Sequence, residues 1–243
     1  MAGLAKGLAV LETFGAARKA VTITEAAEAT SLSRPSARRC LLTLVELGYL
    51  THDGKYFHPT PWLLRLGSAY TETASLPQLA QPHLAATRDR LGESVSLAVL
   101  HENEALFVAR AEATRIVTTG VRVGVSMPAW LTATGHVLLG GLDEAELDAY
   151  LGTIRPQRRT PRTPVSRAEI RRRIQQARET GIAHTDEELE LSLRSLAVPV
   201  TDARGRIRAA MSVSAAARVP LQQMYDEFAP VLVAHARALG NLL

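Results

Sequence analysis

The chain has 243 residues, enough for two modest domains with buried cores, and its 47% hydrophobic and 21% charged content is that of a folded protein, not a disordered or fibrous one. No apolar run approaches the ~20 residues of a membrane span, Lys6 interrupts an N-terminal stretch too short for a secretory signal, and the single cysteine excludes an intramolecular disulfide and predicts a cytoplasmic location. A formal charge of +4 admits nucleic acid as a partner without requiring it.

The first helix is predicted over Lys6–Phe14, where Leu8, Val10, Leu11 and Phe14 repeat at helical spacing. A short helix, Glu25–Thr30, follows with Thr24 as its N-cap, and Ser31-Leu32 makes a turn. Ser33 then caps a second helix with Pro35 in its first turn, where a missing N–H costs little. Along that helix Ala37, Cys40, Leu41, Leu44 and Val45 form an apolar face, Cys40 being read as a buried, inert thiol, while Arg34, Ser36, Arg38 and Arg39 project from the other side and the exposed end. Gly48 stops it. Tyr49–His52 and Lys55–His58 flank Asp53-Gly54, a dipeptide suited to a two-residue type I′ hairpin.

Cap, turn, basic helix and hairpin in that order describe a winged helix-turn-helix. Double-stranded DNA is its expected partner. Ser33, Arg34, Ser36, Arg38 and Arg39 are placed toward base edges and phosphates, with His52 and Lys55 at the tip of the wing.

Pro61–Thr73 reads as a further helix broken by Ser75-Leu76-Pro77, so residues 1–60 are assigned to a DNA-binding domain, 61–76 to a linker helix and 77–243 to a second domain. In that domain helices are expected over Leu79–Leu91, Thr132–Gly140, Glu144–Leu151, Ser166–Thr180 and Pro220–Leu243. Strands are expected over Ser94–Leu100, Ala105–Ala111, Arg115–Val121, Ile182–Asp186, Ser195–Thr201 and Ile207–Ser214. The pattern implies an α+β fold, a sheet covered by helices, of the kind used to sense small molecules. Nine arginines between Arg155 and Arg178 share the segment with one acid, Glu169. It reads as a Pro-rich loop leading into an exposed helix; non-specific DNA attraction and pairing with acids of a partner subunit both stay open.

The stretch VRVGVSMPAWLTATGHVLLG, Val121–Gly140, offers a helix start at Thr132 whose N–H groups suit a carboxylate, although Thr132 can equally be a plain N-cap. Ser212 and Ser214 share a strand face, Ser195 starts the neighbouring strand, and Thr185 and Glu187 precede it. Together they form a plausible polar end to an apolar pocket.

KGLAVLETF, LSRPSARRCLLTLVELGYL, GESVSLAVL, MPAWLTATGHVLL, DEELELSLRSLAVPV and AAMSVSA resemble, in order, the conserved blocks of IclR-family transcription regulators, over essentially the whole chain. TPRTPVSRAEI with DEELELSLRSLAVPV is most similar to the subgroup governing protocatechuate, 4-hydroxybenzoate and β-ketoadipate catabolism. The resemblance implies a winged helix-turn-helix, a linker helix and a C-terminal GAF-like antiparallel sheet, in homodimers or dimer pairs on palindromic operators. It maps a small aromatic carboxylate effector to Ile116, Thr119, Ala133, Thr134, Thr185, Ser195, Ser212 and Ser214, with Met127 and Trp130 as walls. Ser31 and Ser192 stand where glycines are common, Ser212 where the subgroup has Asn, and His136 where Arg or Lys is common.

An enzyme is the rival class. Its best case is Ser212 or Ser214 with His184 or His136, but no G-x-S-x-G elbow is present, and the seven histidines lack the i, i+4 spacing of a zinc helix. The chain is therefore read as a non-enzyme with no cofactor and no metal. A protein-binding adaptor that uses the winged helix without DNA is the remaining alternative.

Overall fold

A computed structural model of the chain describes residues 2–15, 18–113 and 121–243. Two compact units divide it, Met1–Thr73 and Ala74–Leu243.

The first unit opens with α1 (Ala2–Leu11), α2 (Ile23–Thr30) and α3 (Arg34–Glu46). The cap of α2 is Thr22, not Thr24. Its hydroxyl accepts from the Glu25 N–H at 3.3 Å, and the Glu25 carboxylate accepts from the Thr22 N–H at 2.7 Å. This reciprocal pair satisfies two otherwise unpaired donors, so it outcompetes a cap two residues later. Ser31 ends α2 in the left-handed region at φ 55°, a conformation that costs a side-chain-bearing residue about 1 kcal/mol. Ser33 caps α3, and Ala37, Leu41 and Leu44 bury its inner face with Val10, Val21, Leu50 and Phe57. Losing the fully buried Leu41 side chain would cost roughly 2–5 kcal/mol.

The wing strands are β1 (Leu50–His52) and β2 (Phe57–Pro59), paired His52 to Phe57. The connection is therefore longer than the expected two residues. Asp53 accepts from the N–H groups of Lys55 and Tyr56 at 2.9 and 2.7 Å, which makes it the first residue of the turn, with Gly54 at φ 102° behind it. Phe57 is also held by a two-way backbone pair with Val21, which draws it into the core.

A 3₁₀ turn at Pro61–Leu63 leads into α4 (Leu64–Thr73), and α5 (Ser75–Leu91) starts directly after Ala74. Ser75-Leu76-Pro77 begins a helix instead of breaking one, because Pro77 sits in the first turn, where no N–H is needed.

In the second unit, β3 (Ser94–His101), β4 (Glu104–Ala111), β5 (Ser126–Pro128), β6 (Ala183–Asp186), β7 (Leu193–Thr201) and β8 (Ile207–Ala216) form one antiparallel sheet in the order β5-β4-β3-β8-β7-β6. β5 was not expected; the strand expected at Arg115–Val121 falls almost wholly outside the described residues. Alternation along each strand sorts the two faces. Val95, Leu97, Leu196, Val198, Met211 and Val213 pack with α5 and the closing helix. Ala98, Ala197 and Ala210 face α6 (Ala133–Leu139).

α7 (Glu144–Thr153) and α8 (Arg167–Thr180) complete that layer around Leu139, Leu147, Tyr150, Ile170 and Ile174. Ser166 stands at the start of α8, but its side chain makes no cap bond. The closing helix is not uniform. It runs as α9 (Leu221–Gln223), a π-helical turn at Met224–Phe228 and α10 (Ala229–Gly240). Pro230 lacks the N–H of an ordinary turn, and the widened segment lies just before it. No helix among the described residues is long and apolar enough to cross a membrane.

Candidate nucleic-acid interface and ligand pocket

On α3 the serine cap and Pro35 orient the helix start outward, and Ser33, Arg34, Arg38 and Arg39 are exposed while Ser36 is half-buried. Ser33 is occupied by the cap: it accepts from the Ser36 N–H at 3.4 Å and donates to the Ser36 hydroxyl at 3.1 Å. Among the described residues no carboxylate pairs with Arg34, Arg38 or Arg39. Arg34 and Arg38 lie one turn apart on one stripe, whereas Ser36 and Arg39 border an apolar groove against α1. Cys40 is half-buried at that groove, less enclosed than expected.

The wing presents His52 and Lys55 to solvent beside this surface. The His52 ring stacks on Phe57 with centroids 4.2 Å apart, and Lys55 Nζ lies 4.9 Å over the Tyr56 ring. Asp53, the acid nearest the tip, is held well below the usual carboxylate range by the Tyr56 N–H, by His58 at 3.0 Å and by the Lys55 N–H. Its charge is thus bound within the turn. What remains outward is cationic, as a polyanion requires.

In the second unit a cavity of about 30 Å³ lies between α6 and the alanine-and-serine face of the sheet. Met127, Ala133, Thr134, Thr185, Ser195, Ser212 and Ser214 line it, as the sequence led one to expect, together with Phe107, Val121, Leu131, Thr132, Leu189 and Leu193. Ile116 and Thr119 lie outside the described residues. Trp130 does not line the cavity. Its 3₁₀ turn at Ala129–Leu131 places it in the cluster of Leu139, Tyr150 and Ile154, and its backbone N–H donates to Tyr150 Oη at 2.8 Å. Glu187 is also absent from the lining; its carboxylate meets Arg162 and the Ser192 N–H.

Thr132 is the N-cap of α6, accepting from the Gly135 N–H at 3.0 Å and the Thr134 hydroxyl at 3.2 Å. Gly135 is required here: a Cβ would stand 2.0 Å from the Ala129 carbonyl oxygen. Register aligns Thr185, Ser195 and Ser214 across three strands, and the Ser195 and Ser214 hydroxyls are 3.2 Å apart. Phe107 was signalled by its alternation with Ala105. Leu189 and Leu193 were hidden among the acids of DEELELSL, because nothing local says which side of a loop faces inward.

His136 is fully enclosed, and burial holds its pKa down to about 4; as a neutral ring it donates from Nε2 to the Trp130 carbonyl at 2.8 Å. His184 meets Tyr225 Oη at 2.7 Å through Nδ1. Among the described residues neither histidine has a serine hydroxyl as partner, so the geometry offers no nucleophile–base pair. No group of three or more metal-ligating side chains occurs among them either.

The arginine-rich segment is bound into its own unit. Arg162 pairs with Asp186 and Glu187, Arg171 with Glu144 and Asp148, Arg172 with Glu169, Arg173 with Glu169 and Glu188, and Arg178 with Glu144. Acids from elsewhere in the fold, with Glu169, meet these five. Arg155, Arg158, Arg159 and Arg167 have no carboxylate partner among the described residues, Arg158 donating to the Pro161 carbonyl and Arg167 to those of Gly152 and Ile154.

Two family models match the chain: the IclR helix-turn-helix domain over residues 3–54 and the bacterial transcriptional regulator IclR C-terminal domain over residues 68–241. The Pca regulon regulatory protein of Pseudomonas putida is 38% identical over 245 residues, covering all of this chain and 84% of the relative. The p-hydroxybenzoate hydroxylase transcriptional activator of Acinetobacter baylyi is 37% identical over 249 residues, covering all of this chain and 92% of the relative. An IclR homolog of Microbacterium hydrocarbonoxydans solved in complex with 4-hydroxybenzoate superposes with a TM-score of 0.80 at 25% identity, over 98% of this chain and 97% of that one. With an unneutralised basic helix beside a wing, a sheet-and-helix unit enclosing a hydroxyl-lined cavity, and both domain models matched, the chain belongs to the IclR family of bacterial transcriptional regulators.

Proposed function

We propose that this regulator controls genes of aromatic-acid catabolism, binding a palindromic operator as a homodimer and responding to a small aromatic carboxylate such as 4-hydroxybenzoate or protocatechuate. Residues 1–60 would hold the DNA, 61–76 link and 77–243 sense. Arg34 and Arg38, with Arg39, His52 and Lys55, supply the cations for phosphate and base-edge contacts. Leu4, Leu8 and Leu47 are exposed around the apolar groove of the first unit, a surface that a second copy would cover.

The observation that carries the effector reading is the mixed lining of the cavity. Phe107, Val121, Met127, Leu131 and Leu189 supply apolar surface for a ring, while Thr134, Thr185, Ser195, Ser212 and Ser214 offer hydroxyls for a carboxylate and a phenol. The N–H groups of Ala133 and Thr134 open the helix beside them. At about 30 Å³ the enclosed space suits a water or two and not a benzoate, so binding must move the walls apart. A ligand that prefers the wider arrangement shifts its population, and with it the spacing of the DNA-binding parts.

The test is operator affinity by fluorescence polarisation, on duplexes selected from random sequence, with and without 4-hydroxybenzoate and protocatechuate. A change with either acid is expected; no change with both removes these effectors.

A further inference from the structure

The arginine-rich segment has a use that charge neutralisation does not exhaust. Its side chains converge on the loop between β6 and β7, residues 187–192, whose flanking and central residues Thr185, Leu189 and Leu193 form one wall of the ligand cavity. Thr160 Oγ1 donates to the Glu187 carbonyl at 2.7 Å, and Thr163 Oγ1 donates to the Glu188 carbonyl at 2.6 Å. Arg162 meets Asp186 at 2.5 Å and Glu187 at 3.1 Å. Arg173 binds the Glu188 carboxylate directly.

The last pair differs from the others. The Glu188 side chain is only 4% exposed, and its second oxygen has no partner among the described residues. An ion pair so enclosed is poor evidence of stability, because desolvation offsets much of its attraction and an apolar pair of similar volume would hold the fold as well. What it does provide is a fixed position. The loop needs one: Glu187 and Ser192 both adopt positive φ, at 58° and 66°, with a side chain each. Arg173 also faces a second cavity of about 90 Å³ together with His136 of α6 and His184 of β6. That second cavity thus shares two elements with the ligand cavity, α6, which carries Ala133 and Thr134, and β6, which carries Thr185.

We propose that Arg173, through its buried ion pair with Glu188, is the positioning residue that sets the shape of the loop at residues 187–192 and hence the affinity of the pocket for an aromatic acid. The proposal rests on the effector reading above for its ligand, and not for the clasp itself.

Calorimetric titration of the full-length protein with 4-hydroxybenzoate and protocatechuate tests it. Arg173→Gln and Glu188→Gln should each weaken binding by about tenfold or more, and the double variant by little beyond either single one. Arg173→Lys, which keeps the charge, should recover most of the affinity. Arg171→Gln, whose partners Glu144 and Asp148 lie on α7 and meet neither Arg173 nor Glu188, should change nothing. Ligand-free operator affinity should be the same in all of them, which separates positioning from a general loss of fold. Hydrogen exchange at the Ser192 and Leu193 amides should speed up in Arg173→Gln.

Should the single variants fail to fold, the Arg173→Met, Glu188→Leu pair restores an apolar match and is expected to fold yet bind weakly. Binding within about twofold of the wild type in the folded variants, with unchanged loop exchange, overturns the proposal. If the wild type binds neither acid, the effector reading fails by itself, and loop exchange in Arg173→Gln still decides the clasp.

Discussion

The arginines of α3 and the acid-paired arginines of α8 look alike in sequence and behave as opposites. On α3, Arg34, Arg38 and Arg39 stand exposed with no carboxylate paired to them among the described residues, beside a wing whose acid is tied into its own turn. On α8 and just before it, Arg162, Arg171, Arg172, Arg173 and Arg178 are each met by an acid of the same unit, whereas Arg155, Arg158 and Arg159 in the preceding loop stay exposed without one among the described residues. A run of cations is therefore no measure of a nucleic-acid surface. The measure is what remains unneutralised once the chain has folded.

The largest test of that contrast is on DNA. Arg34→Ala and Arg38→Ala should each cost roughly 1–3 kcal/mol of operator binding or lower the salt slope by about one, depending on whether base or phosphate is met. Arg171→Ala should do neither, since its charge is already bound by Glu144 and Asp148. Equal losses from both regions, read by polarisation across a salt series, would break the comparison.

Similar in size is the cost of enclosing a titratable group near the bound arginines. His136 has its pKa depressed by burial to about 4, against an ordinary value of 6.5. The unfolded chain takes up the proton first, so stability should fall as pH drops from 6.5 toward 4 and level off below, by roughly 3 kcal/mol in all. Thermal melts over that range should show the slope, and His136→Gln, which keeps a donor for the Trp130 carbonyl, should flatten it.

A smaller effect sharpens the other side. Ser31 turns between α2 and α3 at φ 55°, so Ser31→Gly should relieve about 1 kcal/mol of backbone strain and raise the melting temperature of the DNA-binding unit. Smallest is Glu169, whose carboxyl is lowered to about 2 by hydrogen bonds from Arg172 and then Arg173. Its contribution is present above the ordinary carboxylate pKa and lost as pH falls through about 2. With a third of the side chain in solvent, Glu169→Gln should cost under about 1 kcal/mol in denaturant melts at neutral pH.

Much of the DNA-binding unit was legible because its signals are local. Ser33 and Pro35 announce α3, and Ala37, Leu41 and Leu44 announce its inner face within three turns. The same holds for the sheet face that carries Ser195, Ser212 and Ser214, which follows from a period of two. The misses were of another kind. Trp130 was read as a cavity wall, but it is buried in the apolar cluster that Leu147, Tyr150 and Ile154 form, all far along the chain. The wing register slipped because Phe57 answers to Val21, far upstream, as well as to its hairpin.

The sequence by itself determined that this protein carries a winged helix-turn-helix and a helix-covered sheet with one hydroxyl-bearing face, since caps, turns and periodicity act over a few residues. Only the tertiary structure decided which cations stay available, which aromatic faces the core and which loop closes the cavity. Those outcomes depend on acids, carbonyls and apolar neighbours that lie distant along the chain and meet only when it folds.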